Sequence, residues 1–183
     1  MEIDELMARF AALPGARVGR GPDHPRMPEP AVGEAVDGFL RRFPEVARDH
    51  GYVAFLRRYA GAAIDNEERH EIVDILGFSN VSSDLIEMDG PVVDEHGFLI
   101  FAQVVRHLIE GGALRDTQEY DYAFDTTGAR APGVYWLYSS SRQPETFDEH
   151  ARAGFAPAGE AFTGWLSRIV GSGGFSPPPA GAA

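Results

Sequence analysis

Segments with helical periodicity and segments with strand-like character occupy separate parts of this chain. Apolar residues recur at i, i+3, i+4 and i+7 towards both ends, whereas short apolar and β-branched runs bounded by Gly, Asp, Asn and Ser fill the middle. Segregated elements of this kind are typical of α+β domains, because parallel sheets need a crossover between successive strands. The sequence therefore predicts an α+β fold in which N-terminal helices and a C-terminal helix pack on a mainly antiparallel sheet.

The helical periodicity predicts four helices. Arg57 and Arg58 fall outside the apolar stripe of the third helix, so we expect them to face water, and Gly61 stands where a left-handed C-cap belongs. The apolar sets that define the helices are Ile3, Leu6, Met7 and Phe10; Val36, Phe39, Leu40 and Phe43; Tyr52, Phe55, Leu56 and Tyr59; and Phe162, Trp165, Leu166 and Ile169.

Short β-branched and aromatic runs predict the strands. In 119–127, tyrosines and a phenylalanine alternate with acidic residues, which indicates a half-buried strand. Residues 103–109 fit either a strand extension or a short helix. The other predicted strands are 71–78, 84–88, 97–101 and 133–141.

The composition divides the chain into four parts. An amphipathic helix is predicted over 1–13, and 14–33 is predicted to be a linker because it carries five Pro and four Gly. The domain itself is expected over 34–170. The low-complexity residues 171–183 are predicted to be disordered.

The residue inventory excludes several kinds of chemistry. The chain has no Cys and no Lys, which excludes disulfides, zinc–thiolate sites, Walker A loops and Schiff-base lysines. Asp-Glu-His occurs at 94–96 and 148–150, so a metal-assisted hydrolase built on His96 and His150 is one alternative, but solvated turns are the commoner use of such residues. The residues themselves therefore indicate no catalytic residue, no metal and no cofactor.

The negative charge is concentrated in the middle of the chain. Residues 65–125 hold 15 Asp or Glu and three Arg, which accounts for the whole net charge of −12. A nucleic-acid-binding protein needs the opposite sign. The N-terminus has no basic start followed by an apolar core, and no run is long enough to span a membrane, so we expect a cytoplasmic protein without membrane contact.

Three stretches together resemble the SUKH superfamily, which includes fungal cell-wall-assembly regulators of the Smi/Knr type and bacterial immunity proteins. These stretches are FLRRYAGAAI, YDYAFDTTGARAPGVYWLYSS and FAPAGEAFTGWLSRIV, and the likeness covers about residues 34–170. The chain departs from the family pattern at Ala60, where a second Gly is usual, and its segment 103–117 is longer than usual. The matching residues are Phe55, Leu56, Tyr59, Gly61, Tyr122, Asp125, Phe162, Trp165 and Leu166.

The resemblance implies helices on a curved sheet, no enzymatic activity and, for a bacterial member, the binding of a toxin of nuclease or deaminase class. The charge fits this expectation, because an acidic surface complements the cationic substrate cleft of such a toxin. A regulatory scaffold with several host partners is the alternative. The candidate contact residues, chosen because they lie in predicted loops, are Asp65, Glu67, Glu68, Asp94 and Glu95.

Overall fold

The computed structural model describes residues 2–19, 29–77, 92–140 and 154–177, which form an α+β domain with helices packed on a sheet and so confirm the predicted class. In these ranges no helix is both long and apolar enough to cross a membrane. The helices are α1 (Ile3–Ala11), α2 (Glu29–Arg42), α3 (His50–Arg58) and α4 (Phe162–Ser172), with a 3-10 helix at Val46–Arg48. The strands are β1 (Ala16–Val18), β2 (Ala62–Asn66), β3 (Glu71–Ile75), β4 (Val92–Val93), β5 (Phe98–Glu110), β6 (Ala113–Asp125), β7 (Val134–Ser140) and β8 (Ala156–Pro157).

The strands form one antiparallel sheet in the order β1-β2-β3-β5-β6-β7-β8, and β4 pairs with β5 beside this path. The central strands β5 and β6 have 13 residues each. The open choice over 103–109 is thus decided in favour of a strand, because β3 and β6 supply partners on both sides of its first half. The strand predicted at 84–88 lies outside the described residues.

The far half of the β5–β6 hairpin extends beyond the described residues of the neighbouring strands. Pairing between β3 and β5 ends at Arg106, and pairing between β6 and β7 begins at Gln118. Residues 107–117 therefore form a two-stranded ribbon, which we call the arm. The turn at its tip is Gly111-Gly112, whose φ angles of +60° and +77° favour glycine. The arm contains most of segment 103–117.

The helices cover one face of the sheet with an aromatic core. The rings of Tyr52 and Phe124 are 5.1 Å apart, and the ring of Phe101 lies 4.6 Å from Phe124. The hydroxyl of Tyr52 donates to the carbonyl of Leu76 at 3.2 Å, which satisfies this buried polar group. Of the residues that carry the family resemblance, those with fully buried side chains are Phe55, Leu56, Tyr122, Phe162, Trp165 and Leu166.

The prediction of a linker over 14–33 is wrong at both of its described ends. Ala16 pairs with Ile64 as part of β1, and α2 begins at Glu29. Gly15, with φ +75°, brings the chain so close to β2 that a Cβ atom there would lie 2.0 Å from the carbonyl oxygen of Asp65. A three-residue edge strand is too short to show a periodicity, so its pairing partner decides the structure. Residues 20–28 lie outside the described part of the chain.

The prediction that disorder begins at residue 171 is also wrong. Helix α4 continues to Ser172, and Gly173 caps it in the left-handed conformation with φ +75°. Phe175 and Ser176 are each only 7% exposed. The low-complexity composition of this segment did not prevent order, because contacts with the sheet hold these residues. Residues 178–183 lie outside the described residues.

The turn after α3 differs from the predicted glycine cap. The left-handed residue is Ala60, with φ +61°, and Gly61 follows with φ +140°, a value that also favours glycine. Gly77 packs against this turn, since a Cβ atom at Gly77 would lie 2.4 Å from the carbonyl oxygen of Ala60. Arg57 and Arg58 are exposed, as the periodicity predicts.

Candidate protein-binding surface

Four carboxylates project from the face of the sheet opposite the described helices. Asp74 is opposite Gln103, which is opposite Asp121, while Asp65 and Glu119 belong to the neighbouring row. Directly opposed residues of antiparallel strands project to the same side, so the two rows lie next to each other on one face. We call this surface the acidic sheet face; its carboxylates are Asp65, Asp74, Glu119 and Asp121.

Apolar side chains lie between these carboxylates. Ile72 and Val105 are opposite each other in the row that joins Asp65 to Glu119, and Leu137 is opposite Asp121. All three apolar side chains are partly exposed. These side chains give the face an apolar component of the kind that a protein partner could bury.

Cations are scarce on this face. Arg17 is opposite Ala63 at the β1 edge, and it is the only basic side chain in the two rows of paired residues. The positive charge of Arg17 acts to lower the pKa of Asp74, but the described contacts include no ion pair between these two side chains. The acidic sheet face is therefore negative, with most of its charge uncompensated within the described chain.

Incomplete solvation raises the pKa of three of these carboxyl groups. Burial raises the pKa of Asp74 to about 6, with the charge of Arg17 opposing this shift and that of Asp65 adding to it. Burial and the charge of Asp121 raise the pKa of Glu119. Burial also raises the pKa of Asp121, although a hydrogen bond from Gln103 opposes the shift. Ionisation of this face therefore reduces the stability of the fold at neutral pH.

Gln103 fixes the geometry of two of the carboxylates. Its side-chain amide nitrogen donates to Asp121 at 2.9 Å and to Glu119 at 3.3 Å. The two acids are two residues apart on β6 and so project from the same side of the strand. A single neutral side chain thus holds two like charges together, which keeps the surface organised without neutralising it.

Three of the predicted contact residues lie on this face or in the turn next to it. Asp65 is on strand β2 and not in a loop, which corrects the prediction, but it is exposed and belongs to the acidic sheet face. Glu67 and Glu68 are exposed in the turn that joins β2 to β3. Asp65 thus belongs to the acidic sheet face, and Glu67 and Glu68 follow it in the adjoining turn, which also carries the exposed Arg69.

Asp94 and Glu95 lie elsewhere. Asp94 accepts the backbone N–H groups of His96 and Phe98 at 2.9 and 2.7 Å, so its carboxylate forms the turn before β5. This turn is at the start of β5, whereas the β2–β3 turn is beside Arg106, about 26 Å further along an extended strand. Asp148 and His150 lie outside the described residues, and within the described ones no three His, Asp or Glu side chains gather around a possible metal position.

Sequence reasoning missed Asp74, Glu119 and Asp121 as candidate contact residues. The alternation over 119–127 already places Glu119 and Asp121 on the side of the strand away from Tyr120 and Tyr122, so a signal for these two was present. For Asp74 there was no local signal, because its position beside Gln103 depends on the pairing of β3 with β5.

A cavity of about 570 Å³ lies between the start of α3, the β6–β7 loop and the start of α4. Two of its carboxylates, Asp125 and Glu160, already have partners within the fold. Burial acts to raise the pKa of Asp125, but hydrogen bonds from Thr127 and Arg130 hold that pKa below its usual value. Glu160 is paired with Arg168 at 2.6 Å. These groups hold the loop and helix ends in place, so we assign this cavity a structural role.

The tip of the arm carries an apolar pair. Ile109 and Leu114 are opposite each other and are 39% and 59% exposed, which makes them the exposed large apolar side chains of the described residues. Two such side chains cover too little area to define an interface by themselves.

Comparison of the chain with protein-family models, with curated protein sequences and with solved structures gives no match. The resemblance to the SUKH superfamily thus stays a prediction from the residues that carry it. The acidic sheet face and its neighbouring turn are the features on which a functional proposal can be built.

Proposed function

We propose that this chain is a non-enzymatic binding protein that neutralises a cationic protein, of the nuclease or deaminase toxin class, in the manner of an immunity protein. The observation that carries the proposal is the acidic sheet face, where three carboxyl groups have raised pKa values and the described residues supply little compensating positive charge. The resemblance to SUKH immunity proteins supports the same class of function.

Uncompensated charge on a half-buried surface is unfavourable for folding. Replacing Asp74 or Asp121 by an uncharged residue of similar size would remove this cost. Natural proteins carry such local costs chiefly at functional sites, where the cost is offset by binding. A partner that brings arginine or lysine to this face would supply the missing charge compensation.

The electrostatics also suit rapid inhibition. A toxin that acts on nucleic acid needs a cationic cleft, and a negative face opposite such a cleft speeds the encounter and covers the catalytic centre. The partly exposed Ile72, Val105 and Leu137 would supply the apolar part of the contact. The same negative charge disfavours direct binding of nucleic acid or of an anionic membrane, and we place the protein in the cytoplasm.

The test begins with the tagged full chain, purified from its own host and analysed by mass spectrometry for partner identity and stoichiometry. One dominant, basic, toxin-like partner at about one copy per chain is the expected result. Several substoichiometric cytoplasmic partners would instead favour the regulatory scaffold.

Binding kinetics with the purified partner then test the surface. We expect the combined Asp74→Asn, Glu119→Gln and Asp121→Asn variant to associate about tenfold more slowly at low salt. The matched control neutralises three exposed acids on the helical side, Glu2, Glu5 and Glu34, and should retain nearly the wild-type rate. Equal slowing in both variants would show that only net charge matters, and no slowing would overturn the assignment of this face.

A further inference from the structure

Residues 175–177, which we call the C-terminal segment, lie in a groove on the helical side of the sheet and are held through their main chain. The N–H of Phe175 donates to Glu71 at 3.2 Å. The carbonyl of Ser176 accepts from the Tyr122 hydroxyl at 3.0 Å and from Arg168 at 2.9 Å. Arg168 also donates to the carbonyl of Pro177 at 2.7 Å. Main-chain contacts of this kind are how extended peptides are bound by other proteins.

One side chain anchors the segment. The guanidinium carbon of Arg106 lies 4.0 Å from the centre of the Phe175 ring, within the range of a cation–π contact. The ring of Tyr120 lies 5.6 Å away on the sheet. Phe175 is 7% exposed, so this pocket selects an aromatic residue, while the neighbouring groups contact only main chain and the small Ser176.

The charged side chains in the walls of the groove have ion-pair partners outside the segment. Glu71 is buried and keeps ion pairs with Arg106 at 2.6 Å and with Arg69 at 3.1 Å. Arg168 keeps its ion pair with Glu160 at 2.6 Å. Departure of the segment therefore leaves no isolated buried charge, unlike the loss of a strand or helix from the core.

Two glycines connect the segment to α4. Gly173 has φ +75° and Gly174 has φ +144°, and both values favour glycine. A Cβ atom at Gly174 would lie 2.9 Å from a carboxylate oxygen of Glu71. The carbonyls of the two glycines accept only exchangeable hydrogen bonds, from Arg69 at 3.3 Å and from the Ser172 hydroxyl at 3.2 Å, which water can replace when the segment leaves its groove.

We propose that this groove is a peptide-binding site, occupied in cis by the C-terminal segment. Its partner is an extended segment of another protein in which an aromatic residue is followed by a small residue and a proline. The cis segment competes with that partner and sets the apparent affinity, because a ligand binds only to the fraction of molecules with an empty groove. The site is on the opposite side of the sheet from the acidic sheet face, so the two proposals stand or fall separately.

The first test measures binding of a labelled acetyl-Gly-Gly-Phe-Ser-Pro-amide peptide to the full chain by fluorescence anisotropy. The Phe175→Ala variant, which weakens the cis segment, should bind the peptide at least about tenfold more tightly than the wild type. A peptide with Ala in place of Phe should not bind. Leu114→Ala, at the exposed arm tip, is the control and should match the wild type. A folded Phe175→Ala variant that does not bind the peptide would overturn the proposal.

The second test uses the unaltered chain and so does not depend on the folding of any variant. Hydrogen exchange of the Phe175 amide should be at least about 100-fold faster than that of Leu166 within α4, because the segment opens locally. Saturating unlabelled peptide should accelerate it further by occupying the groove. Exchange of both amides at the same rate would show that the segment leaves only on global unfolding, which contradicts an exchangeable ligand.

Discussion

The side chain of Asp49 accepts the backbone N–H of Phe162, 113 residues further along the chain, at 2.8 Å. Its other oxygen accepts the N–H of Tyr52 at 3.0 Å and so caps α3. One carboxylate thus accepts a backbone N–H from the first turn of each of two helices. A Cβ atom at Gly51 would lie 2.6 Å from the methyl carbon of Thr163, so the two helix starts are also in close contact.

Asp49→Ala should lower the free energy of unfolding by about 2–3 kcal/mol, since two helices lose their cap. Asp49→Asn keeps one acceptor and should have a smaller effect. Urea unfolding followed by tryptophan fluorescence measures both. Asp37→Ala, which removes an exposed ion pair with Arg57, is the control and should cost less than about 1 kcal/mol. Equal losses for Asp49→Ala and the control would contradict the double cap.

Asp74→Asn should stabilise the protein at neutral pH. Because the folded pKa of about 6 exceeds the usual value of 3.8, the folded chain holds the proton more tightly. The stability contribution is therefore present below pH 4 and is lost as the pH rises through 6. At pH 7 the variant should gain about 1–2 kcal/mol after allowance for partial solvation, and near pH 3.5 the gain should vanish.

Urea unfolding across this pH range measures the effect, with Glu68→Gln in the exposed β2–β3 turn as the control. A wild-type stability that does not decline between pH 4 and 7 relative to Asp74→Asn would contradict the raised pKa. The groups next to Asp74 are Arg17 and Asp65, whose charges influence the pH range of this effect, and Gln103, which lies opposite it on β5.

Partner binding at the acidic sheet face should weaken as the pH falls from 7 to 5. A cationic partner favours the ionised carboxylates, so its binding releases protons from groups whose pKa is raised, Asp74 foremost. Dissociation constants measured at several pH values would show this, and the Asp74→Asn variant should show a flatter profile. Binding that strengthens at pH 5 would exclude this face as the cationic partner's contact.

Two glycines should respond in opposite ways to replacement by alanine. Gly77→Ala forces a Cβ atom against the carbonyl oxygen of Ala60, at 2.4 Å in the present geometry, and should cost about 2 kcal/mol or more. Gly33 is inside α2, and no atom of the described residues outside its own helix lies within 4 Å of the added Cβ, so Gly33→Ala should gain about 0.5–1 kcal/mol. Thermal unfolding of the two variants measures both changes in stability, and a lower stability of Gly33→Ala would contradict the open surroundings of Gly33.

Much of the helical layer could be read from the sequence. The stripe of Tyr52, Phe55 and Leu56 is buried as its spacing predicts, and Phe162, Trp165 and Leu166 face it from the other end of the chain. Local periodicity suffices here because each helix buries one side of itself wherever it packs. Short elements could not be predicted in this way. The three-residue β1 and the segment at Phe175 are too short to show a periodicity, and contacts with residues distant in sequence order them.

The sequence by itself determined the α+β class, the apolar sides of the helices and the alternation that separates Glu119 and Asp121 from Tyr120 and Tyr122. Only the tertiary structure decided that Asp74 joins those acids across Gln103, while Asp94 lies at the far end of β5. Side-chain alternation is a property of one strand, but the neighbours of a carboxylate depend on which strands pair and in what register. That register is set by long-range hydrogen bonding and by burial of the opposite face.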